Sequence, residues 1–504
     1  MTPVDGKPPA ARARSKVLLE LRPALDGHAG IPQEARLLFR GLSTLDGIAV
    51  EGLIQSSNRV LSPGLPEHAE RWSEDRRVNA LSRVVVSLQA SNKPGRSERV
   101  LQAMRVVWHP LRMMLRTLAG LKTRLGRFEA GRFEDFVWRA MFSRTLPSSD
   151  FDVVVRAGFR VARVPWSAAH LAALLVRFPF GAVYPRLDTR GYDVMIAETP
   201  YPGRVTSGTR LVVRYHDAIP LLMPHTISDR AYHQASHFHA LKRNVRDGAW
   251  FCCVSEATRR DLLSIFPQAA PRTVVIHNMV SHHYFVEDSS ASRVAEVINM
   301  RRSASVRGGG GRRIDPAAGP PEYLLMVSTI EPRKNHSTLL SAWEQLRAEV
   351  RPDLHLVLVG ALGWEHKAIV RRLRPWLDRG GLHLLEDVPA AELRLLYRHA
   401  SITVCPSFGE GFDFSGVEAM RCGGVVAASD IPVHRDVFAD ACELFSPYSA
   451  GDIARVLRSL LPGEATAARR EALSRAGEVV SARYLPQNLL PQWAAFLERV
   501  GTTP

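Results

Sequence analysis

Pro406–Ser429 reads PSFGEGFDFSGVEAMRCGGVVAAS and follows the apolar run Ile402–Cys405, ITVC. The run predicts a buried strand. A Gly-broken loop comes next, with Glu410 between Gly409 and Gly411. A short helix is predicted over Gly416–Cys422, carrying Glu418, and Gly423-Gly424 stops it. Val425–Ala428 is a second apolar run. Strand, Gly loop, helix, Gly stop and strand make a βαβ unit of a buried parallel sheet. In such sheets ligands lie beyond the carboxyl ends of the strands, where loops meet helix N-termini. A carboxylate there accepts hydrogen bonds from hydroxyls, and helix amides face anions. Glu410 in the loop and Glu418 on the helix therefore suit a phosphate flanked by two polyols, as in a nucleotide sugar.

The rest of the chain repeats this rhythm. At 504 residues it is too long for one core, so two or three domains are expected. Lys16–Leu21 is a strand, Gly27 and Gly30 flank a turn, and Ile31–Leu42 is an amphipathic helix with Pro32 in its first turn. Ile48–Leu53 and Arg83–Leu88 follow as strands. Tyr192–Ala197 and Thr209–Tyr215 are strands too, the latter running into His216-Asp217. Arg230–Arg246 is a helix, Trp250–Val254 a strand, and Ser255 the N-cap of the helix Glu256–Phe266. Arg272–His277 closes this first domain, residues 16–293. Residues 294–321 contain RSASVRGGGGRRIDPAAGPP and are expected to be a linker. The second domain, residues 322–485, has strands at Tyr323–Val327, His355–Val359, Leu382–Leu385, Ile402–Cys405 and Glu443–Phe445. Its helices are expected at Ser337–Arg347, Lys367–Arg374 (stopped near Pro375), Ala390–Ala400, Asp452–Leu460 and Ala465–Arg475. Residues 486–504 form an amphipathic helix that should dock on another element, and residues 1–15 a disordered lead-in.

Residues 92–180 break the alternation. They are rich in Arg, Leu, Met, Phe and Trp and are expected to form a helical insertion in the first domain. Arg105, Arg112, Arg116, Lys122, Arg124 and Arg127 lie in that stretch with few acids before Glu129. Two readings stay open: a basic amphipathic surface on an anionic membrane, or a helical insertion with solvated charges. The net charge of +16 and pI near 10.1 favour an anionic partner. No RNP-like aromatic pattern, zinc-finger spacing or helix-turn-helix is evident, which argues against nucleic acid. No run of about eighteen apolar residues predicts a membrane span. The N-terminus lacks the apolar region of a secretory signal. Five cysteines without CxxC spacing are expected as buried thiols in a reducing cytoplasm.

With its E-x7-E pair Glu410–Glu418 set between strand Ile402–Cys405 and RCGGVVAASDIPVHRDV, the chain resembles the retaining glycosyltransferases of family 4, closest to bacterial mannosyltransferase-like enzymes of O-antigen and exopolysaccharide synthesis. The resemblance implies the α/β GT-B fold: two Rossmann-like doubly wound domains facing across a cleft. It implies that Glu410 holds donor-sugar hydroxyls and Glu418 the nucleotide ribose, with the amides of Phe414, Ser415, Gly416 and Val417 toward the diphosphate. The loop STIEPRKNH matches the family's phosphate loop, with Lys334 in the usual lysine position. Thr329 stands where many members carry Arg, a place Arg333 would fill. His216 matches a histidine near the sugar, Gly27 and Gly30 the N-terminal Gly loop, and Gly360 the glycine near the base. Asp413-Phe414-Ser415 replaces the usual Gly-Leu-Pro, which makes Asp413 a candidate for donor choice.

The implied reaction moves a sugar, mannose from GDP-mannose by likeness, to a lipid-linked or growing cell-surface glycan. It uses no metal or other cofactor, and Arg333, Lys334 and helix amides stabilise the leaving diphosphate. The protein is expected at the inner face of the cytoplasmic membrane as a peripheral, cytoplasmic enzyme. Two alternatives are a dinucleotide-dependent oxidoreductase, opposed by the missing GxGxxG, and a non-catalytic membrane-associated nucleotide-binding protein, opposed by the intact Glu410, Glu418 and Lys334.

Overall fold

Most of the apolar runs fold as short parallel strands, and they sort into two sheets. The computed structural model describes residues 15–25, 27, 30–89, 108, 110–175, 181–303 and 313–502. The first sheet holds β1 (Ser15–Glu20), β2 (Ile48–Ile54), β3 (Gly126–Phe128), β4 (Gly158–Val161), β5 (Val194–Ala197), β6 (Arg210–Tyr215), β7 (Trp250–Cys253) and β8 (Thr273–Val275). Its order is β3-β4-β2-β1-β5-β6-β7-β8, and β3 runs antiparallel to β4. The second sheet holds β9 (Tyr323–Val327), β10 (His355–Val359), β11 (Leu382–Leu385), β12 (Ile402–Cys405), β13 (Val426–Ser429) and β14 (Cys442–Phe445). Its order is β11-β10-β9-β12-β13-β14, with parallel pairings throughout. Helices cover both faces, so strands such as β5, β7 and β12 are buried along their whole length.

In each sheet the chain reverses direction at the first strand. β1 lies between β2 and β5, and β9 between β10 and β12. Such a switch point opens a crevice at the strands' carboxyl ends. The loops after β9 and β12 carry Arg333, Lys334 and Glu410. The segments after β1, β5 and β6 carry Gly27, Glu198 and His216. The final helix, Pro486–Thr502, docks back onto the first domain. Its Leu490 lies where a Cβ on Gly41 would stand, 2.7 Å from its Cδ2, and its Phe496 ring lies 6.0 Å from Trp250.

Four expectations are corrected. Arg83–Leu88 is not a strand but the end of the helix Glu74–Gln89. The Val-Val-Val run suggested a strand, yet burial recurs at Leu81, Val84, Val85 and Leu88, the period of a helix. The stretch 92–180 is not wholly helical. It supplies β3 and β4, and β4 pairs with β2 inside the sheet. Residues 90–107, 109 and 176–180 lie outside the described residues. The expected linker begins with a helix, Arg293–Met300, which buries Val294, Ala295, Val297 and Ile298. Its glycine run lies outside the described residues, as does the lead-in up to residue 14. Finally, the helix His366–Arg379 runs through Pro375. Pro375 and Arg371, whose carbonyl loses its partner, are both exposed, so water can satisfy that carbonyl.

Candidate active site

The loop from β9 to the helix His336–Glu349 is pinned by Asn335, which adopts the left-handed conformation at φ 63°. Its side-chain amide donates to the carbonyls of Pro406 (3.0 Å) and Pro447 (2.8 Å). That fixes the β9 loop against the β12 loop. Arg333 Nη1 then donates to Glu410 Oε2 at 2.7 Å and to the Gly409 carbonyl at 2.6 Å, and Lys334 Nζ donates to Glu410 Oε1 at 2.5 Å. Arg333 Nη2 reaches Glu331 Oε1 at 2.9 Å. Both oxygens of Glu410 are thus held by cations. Burial pushes its carboxyl up, but Arg333 and Lys334 more than offset this and hold it below the usual range.

The helix Phe414–Arg421 starts at Asp413, which has φ 67° and caps it. Asp413 Oδ1 accepts from the Ser415 amide and from Ser415 Oγ (2.6 Å), while Oδ2 lies 3.1 Å from His434 Nε2. Burial would raise its pKa, but His434, Lys334 and Ser415 together outweigh this and depress it. Its two oxygens are therefore occupied inside the second domain, where they set the start of the helix. Gly416 lies against Phe438; a Cβ there would stand 2.2 Å from its ring. Val417 is core, and Phe414 packs edge-on to Phe412. Gly360 is required by the close approach of Ser328, whose carbonyl would be 2.1 Å from a Cβ.

The first domain closes over this wall. A Cβ on Gly411 would stand 1.8 Å from the carbonyl oxygen of His216, and one on Gly409 2.7 Å from Met223 Sδ. Only glycines let the Glu410 loop approach so closely. Glu418 lies in the same interface rather than in an open crevice. Its Oε1 accepts from Gln33 of the first domain at 2.7 Å and its Oε2 from Tyr397 at 3.1 Å. Burial pushes its carboxyl up to about 7. Gly30, at φ 72°, opens the helix Ile31–Leu42 that presents Gln33. The Gly27 carbonyl accepts from Arg36 at 2.9 Å.

Behind His216 lies a buried cluster that the sequence did not reveal. His216 Nε2 is 3.3 Å from Glu198 Oε2, and the ligand-type atoms of Glu34, Glu198 and His216 lie within 4.8 Å of one another. Arg214 Nε donates to Glu34 Oε1 at 3.0 Å. The other oxygens, Glu34 Oε2 and Glu198 Oε1, are buried without a partner. Burial raises Glu34 to about 8 and Glu198 to about 7, and lowers His216 to about 4. A metal ion here would face the Arg214 guanidinium, so two carboxyls sharing a proton fit the donor set better than a cation.

The structure thus brings Arg333, Lys334 and Glu410 together and sets His216 across from them through Gly411. It gives Asp413 and Gly360 supporting contacts instead. Sequence reasoning missed Glu331, Asn335, Gln33, Glu34, Glu198 and His434. Of these, only Asn335 had a local signal, as a residue tolerant of the left-handed region just before a helix.

A model of the family described as "Glycosyl transferases group 1" matches residues 312–479. The chain is 28% identical over 252 residues to the serotype-specific mannosyltransferase WbdA of Escherichia coli, covering 50% of this chain and 29% of that protein. It is 28% identical over 253 residues to the O-antigen chain mannosyltransferase B of Escherichia coli, covering 50% and 61%. These matches span less than two thirds of either relative. The fold is similar to that of sucrose-phosphate synthase from Thermosynechococcus elongatus (TM-score 0.58, 14% identity, 97% of this chain and 99% of that one). It is also similar to Anabaena HepE in complex with UDP and glucose (TM-score 0.55, 13% identity, 96% and 100%). Residues 312–479 therefore form a group 1 glycosyltransferase domain within a two-domain GT-B fold.

Proposed function

We propose that the chain is a retaining, family 4 hexosyltransferase that moves mannose from GDP-mannose to a lipid-linked or growing cell-surface glycan. The observation that carries this reading is the Glu410 carboxylate held between Arg333 and Lys334 at the sheet's switch point, opposite His216. Arg333 and Lys334 hold the two oxygens of Glu410. A sugar would take over the oxygens of Glu410 with its hydroxyls, releasing the guanidinium and the ammonium toward the diphosphate. The bond from the anomeric carbon to the diphosphate then breaks, its electron pair leaving with the diphosphate oxygen, and a bond to the acceptor oxygen forms as that hydroxyl passes its proton to the departing diphosphate. Lys334 and Arg333 supply the charge that a metal would otherwise bring, so the reaction proposed here is metal-independent. The names of the two Escherichia coli mannosyltransferases support mannose as the sugar moved and a glycan chain as the acceptor.

The test is a panel of nucleotide sugars with product detection in chelator. Transfer from GDP-mannose is expected. Binding of NAD in place of any nucleoside diphosphate would sink the reading in favour of an oxidoreductase, and no nucleotide binding at all would favour a non-catalytic protein.

We further propose that the enzyme works at the inner face of the cytoplasmic membrane, bound peripherally to anionic lipid. The helical stretch 110–118 and its flanks support this. Trp108, Leu111, Leu115, Leu118 and Leu121 are all exposed, at helical spacing, beside exposed Arg112 and Arg116. Among the described residues no helix is long and apolar enough to cross a membrane. The protein is expected to float with vesicles containing phosphatidylglycerol and to be released by salt, and Leu115→Asp with Leu118→Asp should abolish flotation. Flotation that ignores lipid charge, or its absence, would remove the membrane from the proposal.

A further inference from the structure

The buried cluster behind His216 holds more acceptors than donors, and that imbalance fixes where its protons lie. Its frame is built from both sides. Arg214 donates from Nη1 to the Ile276 carbonyl at 2.5 Å, from Nη2 to Asn278 Oδ1 at 2.8 Å and from Nε to Glu34 Oε1 at 3.0 Å. Opposite, Glu20 Oε2 accepts the Glu198 amide at 3.0 Å, and Glu198 Oε2 lies 3.3 Å from His216 Nε2. Glu20, Glu34, Glu198 and Arg214 are buried, so their polar atoms need partners from within the protein.

Two oxygens remain, Glu34 Oε2 and Glu198 Oε1, on carboxyls that lie against each other. One proton held between these carboxyls satisfies both oxygens and avoids two adjacent buried charges. Placing that proton on Glu198 Oε2 instead, toward the imidazole, would leave both oxygens without a donor and Glu34 ionised beside them. With the proton between the carboxyls, Glu198 Oε2 offers only lone pairs, so His216 Nε2 must be the donor in their contact. Burial keeps the ring neutral, with its pKa lowered to about 4, so Nδ1 carries a lone pair. Among the described residues Nδ1 has no hydrogen-bond partner, and it is not one of the buried unpartnered atoms, so it opens to solvent.

We propose that Glu34 and Glu198 are positioning residues that share one proton and thereby hold His216 as its Nε2–H tautomer, so that Nδ1 meets the ligand as the acceptor of a hydroxyl proton. A bare Nδ1 takes a hydroxyl and opposes a phosphate oxygen, since two acceptors cannot bond to each other. The identity of the ligand rests on the glycosyltransferase reading: the group met by His216 is then a hydroxyl of the sugar, and the phosphate oxygens are left to Arg333 and Lys334.

The tautomer is read directly by nitrogen NMR of the histidine-labelled full chain near neutral pH, with the His216 signals assigned by their loss in His216→Gln. Nε2 is expected to carry the proton and Nδ1 none. In Glu198→Gln the side-chain oxygen faces Nε2–H and the amide donates to Glu34, so the tautomer is kept. Glu198→Ala removes the acceptor and should leave a mixture of tautomers. In turnover Glu198→Ala should raise KM for GDP-mannose about tenfold with GDP affinity unchanged, while Glu198→Gln keeps both within about twofold. A proton on Nδ1 in the natural protein would overturn the proposal. So would a single tautomer retained in Glu198→Ala, an equal loss in the alanine and glutamine variants, or a fall in GDP affinity matching the rise in KM. If the alanine variant does not fold, the signals of the natural protein and of Glu198→Gln decide. Absence of transfer from every nucleotide sugar would strike the glycosyltransferase reading, and the His216 tautomer would still decide the role of the carboxyl pair.

Discussion

Glu410→Gln is expected to lower the rate of sugar transfer by about 10²-fold or more while leaving GDP affinity unchanged or tighter. The two halves of this result have one cause. Glu410 accepts from Lys334 at 2.5 Å and from Arg333 at 2.7 Å, and its carboxyl is held ionised by both. A glutamine keeps the size and one acceptor but loses the charge. Sugar hydroxyls then lose their charged acceptor, which is a loss in the transition state as the ring gains positive character. Arg333 and Lys334 meanwhile lose their anionic competitor, so a diphosphate meets less opposition. Alanine is a poorer probe, because it strands two half-buried cations at a cost of about 3 kcal/mol in stability. Steady-state kinetics and calorimetric titration with GDP on the glutamine variant separate the effects. Full activity in that variant would remove Glu410 from the site, and a loss of GDP binding equal to the loss of rate would reduce its role to holding the loop.

The residues of this triad were legible because each sits in a loop directly after an apolar run. The Gly-rich setting of Glu410 and the paired cations of PRKNH mark loops at strand ends, and the fold places those ends together. The alternation of strand and helix was legible for the same reason: buried parallel strands are continuous apolar runs. It failed where composition and periodicity disagreed. The Val-rich end of Glu74–Gln89 looks like a strand by residue type and is a helix by spacing. It failed again at β3 and β4, three and four residues long, whose pairing depends on partners far along the chain. The same holds for the supporting side chains. Gln33 meets Glu418 across 385 positions, and Glu34 meets Arg214 across 180. No local pattern announces such pairs. Asp413 is a like case: its place beside Glu410 suggested donor contact, and no local pattern announced that His434, folded back from beyond β13, engages the carboxylate.

Raising the pH from about 6.5 to 8 should destabilise the protein, and Glu34 is the main reason. Burial raises Glu34 to about 8 and Glu198 to about 7, both from an ordinary value of 4.5 or close to it. A carboxyl whose folded pKa is raised contributes stability that is fully present below its unfolded value. That contribution is lost progressively as pH rises from the unfolded value, near 4.5, to the folded one, and the loss is complete above about 7 for Glu198 and about 8 for Glu34. The slope is about 1.4 kcal/mol per pH unit for each proton released. Arg214 faces Glu34 directly, Glu20 and Arg22 face Glu198, and His216 lies against Glu198 with Asp217 beyond it. These charges moderate the loss without removing it, since Glu34 Oε2 and Glu198 Oε1 have no donor other than a shared proton. Thermal unfolding across this range should show the midpoint falling in the natural protein and falling less in Glu34→Gln, whose amide supplies a donor that does not titrate. Glu418, raised to about 7, contributes to both curves and cancels in their difference. Parallel curves would place the lost proton elsewhere. The consequence for the site is directional. Burial lowers His216 to about 4, so near neutral pH the cluster's proton resides on the carboxyl pair and the imidazole is neutral. The His216 ring, held at Nε2 by Glu198, is then uncharged and adds no positive charge to compete with Arg333 and Lys334 for a diphosphate.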